Sequence, residues 1–101
     1  MWCVVMFDLP VKTKTQQRAA NAFRHLLLDL GYWRAQFSIY VSYSPSASGS
    51  ITAIKSIKKN LPPYGEVRIV HITDNQWSKS LRFSNFVEED PEEPTGQLTI
   101  F

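Results

Sequence analysis

Residues 2–7, WCVVMF, form an unbroken apolar run that ends at Asp8, Leu9 and Pro10. Six residues are too few for a free-standing helix, and the run is rich in Val and aromatics, so it predicts a strand buried on both faces. Thr13 with Gln16 matches a capping box. Beyond it Ala20, Phe23, Leu27 and Leu30 recur at helical spacing, with Arg18, Asn21, His25 and Asp29 on other faces and Gly31 as the stop. From Tyr32 to Tyr43 the period changes to two: Phe37, Ile39 and Val41 alternate with Ser38, Tyr40 and Ser42. Twelve residues are long for one strand, so a break is expected near Ala35 and Gln36. SPSASGS (44–50) is turn material, and Ile51, Ile54, Ile57 and Leu61 mark a second helix stopped by Pro62 and Pro63. Strand character resumes over 64–73, then is lost over 74–86, which reads as irregular or as a single short turn of helix.

The order β, α, broken β, α, β predicts an α+β fold, a ferredoxin-like βαββαβ sandwich with its helices on one face. Residues 1–86 form this domain, 87–95 an acidic linker, and GQLTIF (96–101) an additional C-terminal strand. An apolar strand held by few local contacts must find an open sheet edge, on its own sheet or on a second protomer's. The expectation is a homodimer in which it packs on the partner.

Composition adds two facts. The net charge is only +2, but five of the nine acids lie at Glu88, Glu89, Asp90, Glu92 and Glu93, which leaves residues 1–87 at +7. A body of that sign favours polyanions through phosphate neutralisation and counterion release, whereas the acidic segment reads as a solvated linker or as a contact for a basic surface. Cys3 has no second cysteine to pair with and reads as a core residue. No stretch approaches the ~20 apolar residues needed to cross a bilayer, and the expected compartment is the cytoplasm, with no membrane partner.

Phosphate loops, HExxH, CxxC and GxSxG motifs are all absent. His25 and His71 are isolated and read as structural. Asp8 supports two readings. A carboxylate closing a central strand can accept nearby backbone N–H groups ahead of Pro10 as a turn residue, or it can offer hard oxygen to Mg²⁺. One carboxylate is a poor metal site, and no second acid lies in the N-terminal motif region, so company for Asp8 is expected from a second Asp8 across a dimer axis. Lys12, Lys14, Arg18, Arg24 and Arg34 cluster just after it, either as a solvated face or as phosphate contacts.

MFDLP (6–10), RAANAFRHLLLDLGY (18–32), QFSIY (36–40) and GEVRIVHITDNQW (65–77) together resemble the CRISPR-associated protein two family, in wording most like members from type II systems. The resemblance spans nearly all of residues 1–77. It implies a ferredoxin-like homodimer whose C-terminal strand packs on the partner, and a metal-binding, catalytic aspartate at Asp8. It also implies two function classes. One is a Mg²⁺-dependent (or other divalent-cation) endonuclease on RNA or double-stranded DNA, with Ser38 and Tyr40 lining the site. The other is a scaffold for spacer acquisition that binds a protospacer DNA duplex through Lys12, Lys14, Arg18 and neighbouring basic residues and bridges dimers of the CRISPR integrase subunit. An RNA-binding module that stacks bases on Phe37 or Tyr40 is a weaker third reading, since the RNP-type glycine and aromatic pattern is missing.

Overall fold

The first apolar run folds as expected, into strand β1 (Trp2–Asp8) at the centre of a four-stranded antiparallel sheet. The computed structural model of the protein describes residues 1–94. After β1 come α1 (Lys14–Asp29), β2 (Trp33–Gln36), β3 (Ile39–Tyr43), α2 (Ile51–Lys59), β4 (Glu66–Ile72), α3 (Asp74–Ser78), β5 (Arg82–Ser84) and β6 (Val87–Glu89). The sheet order is β2-β3-β1-β4, which with the βαββαβ succession is the ferredoxin-like arrangement.

Alternation along β1 divides its side chains between two cores. Cys3, Val5 and Phe7 pack under the helices with Phe23, Leu27, Tyr32, Tyr40 and Ile57. Trp2 and Val4 pack with Val41 on the opposite face, flanked by Met6, Trp33, Ile39, Tyr43, Ile72 and Trp77. A strand with apolar side chains on both faces therefore has to be central, and β1 pairs with β3 on one side and β4 on the other.

Both capping signals of α1 are realised. Thr13 and Gln16 satisfy each other's backbone N–H groups. At the other end Gly31, at φ 90°, closes a Schellman turn: its N–H donates to Leu28 O, and the Tyr32 N–H donates to Leu27 O. The twelve-residue alternating stretch contains a bulge between Arg34 and Gln36, where the break was expected, and then a hairpin turn at Phe37 and Ser38. The residues expected to form one turn from 44 to 50 end in a 3₁₀ turn over Ala47–Ser50 that leads into α2.

The structure corrects two boundaries. Leu61 lies beyond the end of α2 and is exposed, because Asn60 already terminates the helix ahead of the two prolines. Residues 87–89, expected to be connector, pair with 82–84 as a small second sheet, joined through Asn85 and Phe86, both at positive φ. The expected turn of helix in 74–86 is present as α3, whose Thr73–Gln76 capping box is complete in both directions. The predicted strand over 96–101 lies outside the described residues. Within them no helix is long and apolar enough to cross a membrane.

Candidate functional site

Even-numbered positions of β1 face away from the helices, so Asp8 points to the same side as Trp2, Val4 and Met6. It is exposed where the strand ends. On the neighbouring strand the residue directly opposite it is Glu66, the first of β4. Facing residues of an antiparallel pair project on the same side, so the two carboxylates share one rung and one face.

The rung is tight. Gly65, at φ 86°, brings the backbone so close that a Cβ there would collide with the Asp8 carbonyl oxygen and come within 3.0 Å of Leu9 Cα. Only glycine combines that conformation with that approach. Glu66 also makes a long ion pair with Arg68, 3.6 Å away, and both side chains are well exposed. Glu66 went unnoticed in the sequence because its relation to Asp8 depends on the β1–β4 register. The strand signal over 64–73 locates β4 without saying which residue faces which.

Among the described residues no group of three or more His, Cys, Asp or Glu could hold a metal ion. The carboxylates beside Asp8 thus amount to a pair, with oxygen donors suited to a hard divalent cation that keeps several waters.

The basic residues divide by position. Lys12, Lys14 and Arg18 are exposed on the loop leaving β1 and the first turns of α1, and the Lys12 N–H is fixed by Gln16 Oε1 at 2.9 Å. Arg24 is half-buried on the helix side of the same strand end. Its guanidinium carbon lies 5.5 Å from the Phe7 ring centre and 5.2 Å from that of Phe37, and its buried Nε has no hydrogen-bond partner. Arg34 is apart from these: it is on β2, the sheet's edge strand, opposite Tyr40, with β3 between it and β1. Lys58 and Lys59, in the last turn of α2, were not singled out in the sequence. They end the helix that leads to Glu66.

Ser38 adjoins the site through its backbone, its carbonyl accepting the Phe7 N–H at 3.1 Å. Tyr40 is elsewhere. Only 3% exposed, it packs its ring against Phe7 on the helix-covered face, because its partner on β1 is the inward Val5. The Tyr40 ring therefore does not line the Asp8 face, and it offers no surface for a base to stack on; Phe37, at 71% exposure, does. His25 is exposed on α1, and His71 pairs with Ser50 Oγ through Nε2 at 2.8 Å. His71 stands on the Cys3 rung, five residues along β1 from Asp8, roughly 16 Å by strand rise. Cys3 is buried with Sγ 3.1 Å from Tyr32 Oη, and burial raises both pKa values.

Comparison with known proteins identifies the lineage. The family model described as CRISPR associated protein Cas2 matches residues 1–80. Proteins named CRISPR-associated endoribonuclease Cas2 are similar over the whole chain: that of Paracidovorax avenae is 37% identical and covered to 94% of its length, and that of Flavobacterium psychrophilum is 34% identical and covered to 88%. The one from Campylobacter jejuni is 38% identical, and 71% of its length is covered. A family model matched over most of the chain, together with relatives that align with the whole of this chain, places this protein in the CRISPR-associated protein Cas2 family.

Proposed function

We propose that this protein serves CRISPR spacer acquisition as a homodimer and is a metal-dependent endonuclease, with Asp8 as the cation ligand at a phosphodiester of RNA or double-stranded DNA. The observation that carries the reading is the exposed Asp8 carboxylate at the exit of the central strand, with a second carboxylate on its rung. The endoribonuclease names of the relatives support the same chemistry.

A bound divalent ion, Mg²⁺ by the hardness of the oxygen donors, supplies Lewis-acid polarisation of the phosphodiester and lowers the pKa of an attacking water. Asp8 orients the nucleic-acid backbone by fixing where that charge sits. Lys12, Lys14, Arg18 and the stacked Arg24 neutralise neighbouring phosphates with little sequence preference. Arg34 belongs to a more distant part of the same basic body, and the turn carrying Ser38 shapes the site's edge.

A second reading, a non-catalytic scaffold that holds a DNA duplex and bridges integrase dimers, is favoured by one specific observation. His71 is five rungs from Asp8, too far to take a proton from a water there. Purified wild type and Asp8→Ala, compared for Mg²⁺-dependent cleavage of RNA and duplex DNA and for spacer acquisition in cells, separate the two. The catalytic reading expects cleavage and acquisition to fall together. Lost cleavage with intact acquisition leaves the scaffold as the essential role, and unchanged cleavage removes Asp8 from the chemistry. Phosphate tracking expects affinity for duplex to drop steeply with salt; a flat response overturns it.

A further inference from the structure

We infer that Phe37 is a stacking platform for an unpaired nucleobase, so that the Asp8 end of the molecule engages a strand of RNA or DNA in which a base is out of the stack. The inference rests on this end binding nucleic acid and goes on to name the form of nucleic acid that fits it.

Alternation puts Phe37 in step with Ile39 and Val41, both of which pack on the sheet face away from the helices. The structure takes Phe37 out of that pattern. A bulge between Arg34 and Gln36 precedes it, and the chain turns at Phe37 and Ser38, so that its ring is 71% exposed. One exposed aromatic needs no explanation by itself; two further observations single this one out. The turn that carries it is fixed to the end of β1, since the Ser38 carbonyl accepts the N–H of Phe7, the residue before Asp8, at 3.1 Å. The Arg24 guanidinium lies over the Phe37 ring, 5.2 Å from its centre, close enough for attraction to the ring quadrupole. The ring is thus braced from α1 and open to solvent elsewhere.

Arg24 also supplies an unanswered charge. It is half-buried, its Nε has no hydrogen-bond partner, and no carboxylate among the described residues pairs with it. A positive charge that the chain leaves unneutralised draws an anion without touching it, over about 8–10 Å at ordinary salt. A nucleotide answers both features together: its base covers the ring, and its phosphate brings negative charge within that range. A base can do so only when splayed out, because inside a duplex its faces are covered by its neighbours. Aromatics interleaved with cations bind single strands with little regard to sequence, and Lys12, Lys14 and Arg18 lie exposed on the loop and first turns of α1, the helix that carries Arg24.

Fluorescence anisotropy with labelled oligonucleotides tests this on the intact protein, with Ca²⁺ in place of Mg²⁺ and gels to confirm that the strands stay whole. The probes are an RNA and a DNA strand of one sequence, the same DNA strand with abasic sites in place of its bases, and a long blunt duplex. Wild type is compared with Phe37→Ala, Phe37→Leu and Phe37→Trp, each checked for folding by circular dichroism melts. Loss of one base–aromatic stack should weaken binding of both single strands about 5- to 100-fold in Phe37→Ala. Phe37→Leu should be as weak, Phe37→Trp at least as strong as wild type, and the duplex and abasic strand indifferent to all of them. Full affinity for the single strands in Phe37→Ala or Phe37→Leu overturns the stacking role and leaves the nucleic-acid reading standing. An equal loss on the duplex or the abasic strand also overturns it, since the ring would then matter only as structure. So does a loss confined to RNA or to DNA, because the sugar and not the base would then be read. Wild type that binds none of the probes overturns the underlying reading.

Discussion

At the start of β1 the carboxylate of Asp74 is fully engaged: the Met1 ammonium sits 2.5 Å from one oxygen, and the Tyr43 hydroxyl donates to the other at 2.7 Å. Beside it Trp2 is stacked on Trp77 with ring centres 4.1 Å apart, and the Trp77 indole N–H donates to the Glu92 carbonyl. At the exit of the same strand, Asp8 faces another acid across the rung, and Glu66 has only a long contact with Arg68. One end uses its acid to tie α3 onto the sheet, and Trp77 of that helix holds the segment around Glu92. The other keeps its acids uncommitted, and ligand chemistry needs that state. Substitutions at the first end should therefore change stability, and those at the second should change binding and cleavage.

The largest expected effect is at the exit. Asp8→Asn should lower Mg²⁺-dependent cleavage about a hundredfold or more while the melting temperature hardly moves, because an exposed isosteric change away from caps and cores costs within about 0.5 kcal/mol. A large loss of stability in that variant would mean that Asp8 is a turn residue after all. Trp2→Ala should do the reverse. Trp2 is 2% exposed and touches the rings of Trp33, Tyr43 and Trp77, so its removal should cost about 3–5 kcal/mol in urea unfolding and leave Mn²⁺ affinity per folded molecule unchanged.

Gly65→Ala crosses the two classes. Its positive φ and the collision with the Asp8 carbonyl should cost about 1–3 kcal/mol and weaken Mn²⁺ binding as well, since the rung itself must shift. Intact binding in that variant would show that the carboxylates do not depend on the backbone approach. The smallest effect belongs to Asp74, whose carboxyl is held below its ordinary value of 3.8, chiefly by the N-terminal ammonium and then by the Tyr43 hydroxyl. A depressed folded-state pKa stabilises fully above the unfolded value and loses that contribution as pH falls through the folded one. The stability gap between wild type and Asp74→Asn should hence be constant at neutral pH and close as acid is added below about pH 4. A gap that widened on acidification would contradict the arrangement.

The fold could be read from local signals wherever one residue type settled one conformation. Thr13 and Gln16 fixed where α1 begins, Gly31 fixed where it ends, and the apolar run at 2–7 required a strand covered on both sides. The hairpin of β5 and β6 was illegible because its turn uses Asn85 and Phe86 at positive φ, with no glycine to announce it. At the site, the exposure of Asp8 and the basic loop after it followed from strand position and charge. Glu66 did not, because which residues meet across a sheet is decided by non-local register. Tyr40 was misplaced for a related reason: period-two alternation shows that Tyr40 and Ile39 face opposite ways without saying which face carries the chemistry.

Because β1 lies between β3 and β4, its first neighbour arrives with the β2–β3 hairpin and its second only after α2. The β1–β4 pairing, from Asp8–Glu66 at one end to Trp2–Ile72 at the other, closes the longest loops in the sheet. By contact-order reasoning this pairing forms late in folding. Until it does, one flank of an apolar strand is open to pairing with another chain. The carboxylate pair thus comes together in the same step that shields β1, and an incompletely folded molecule cannot display it.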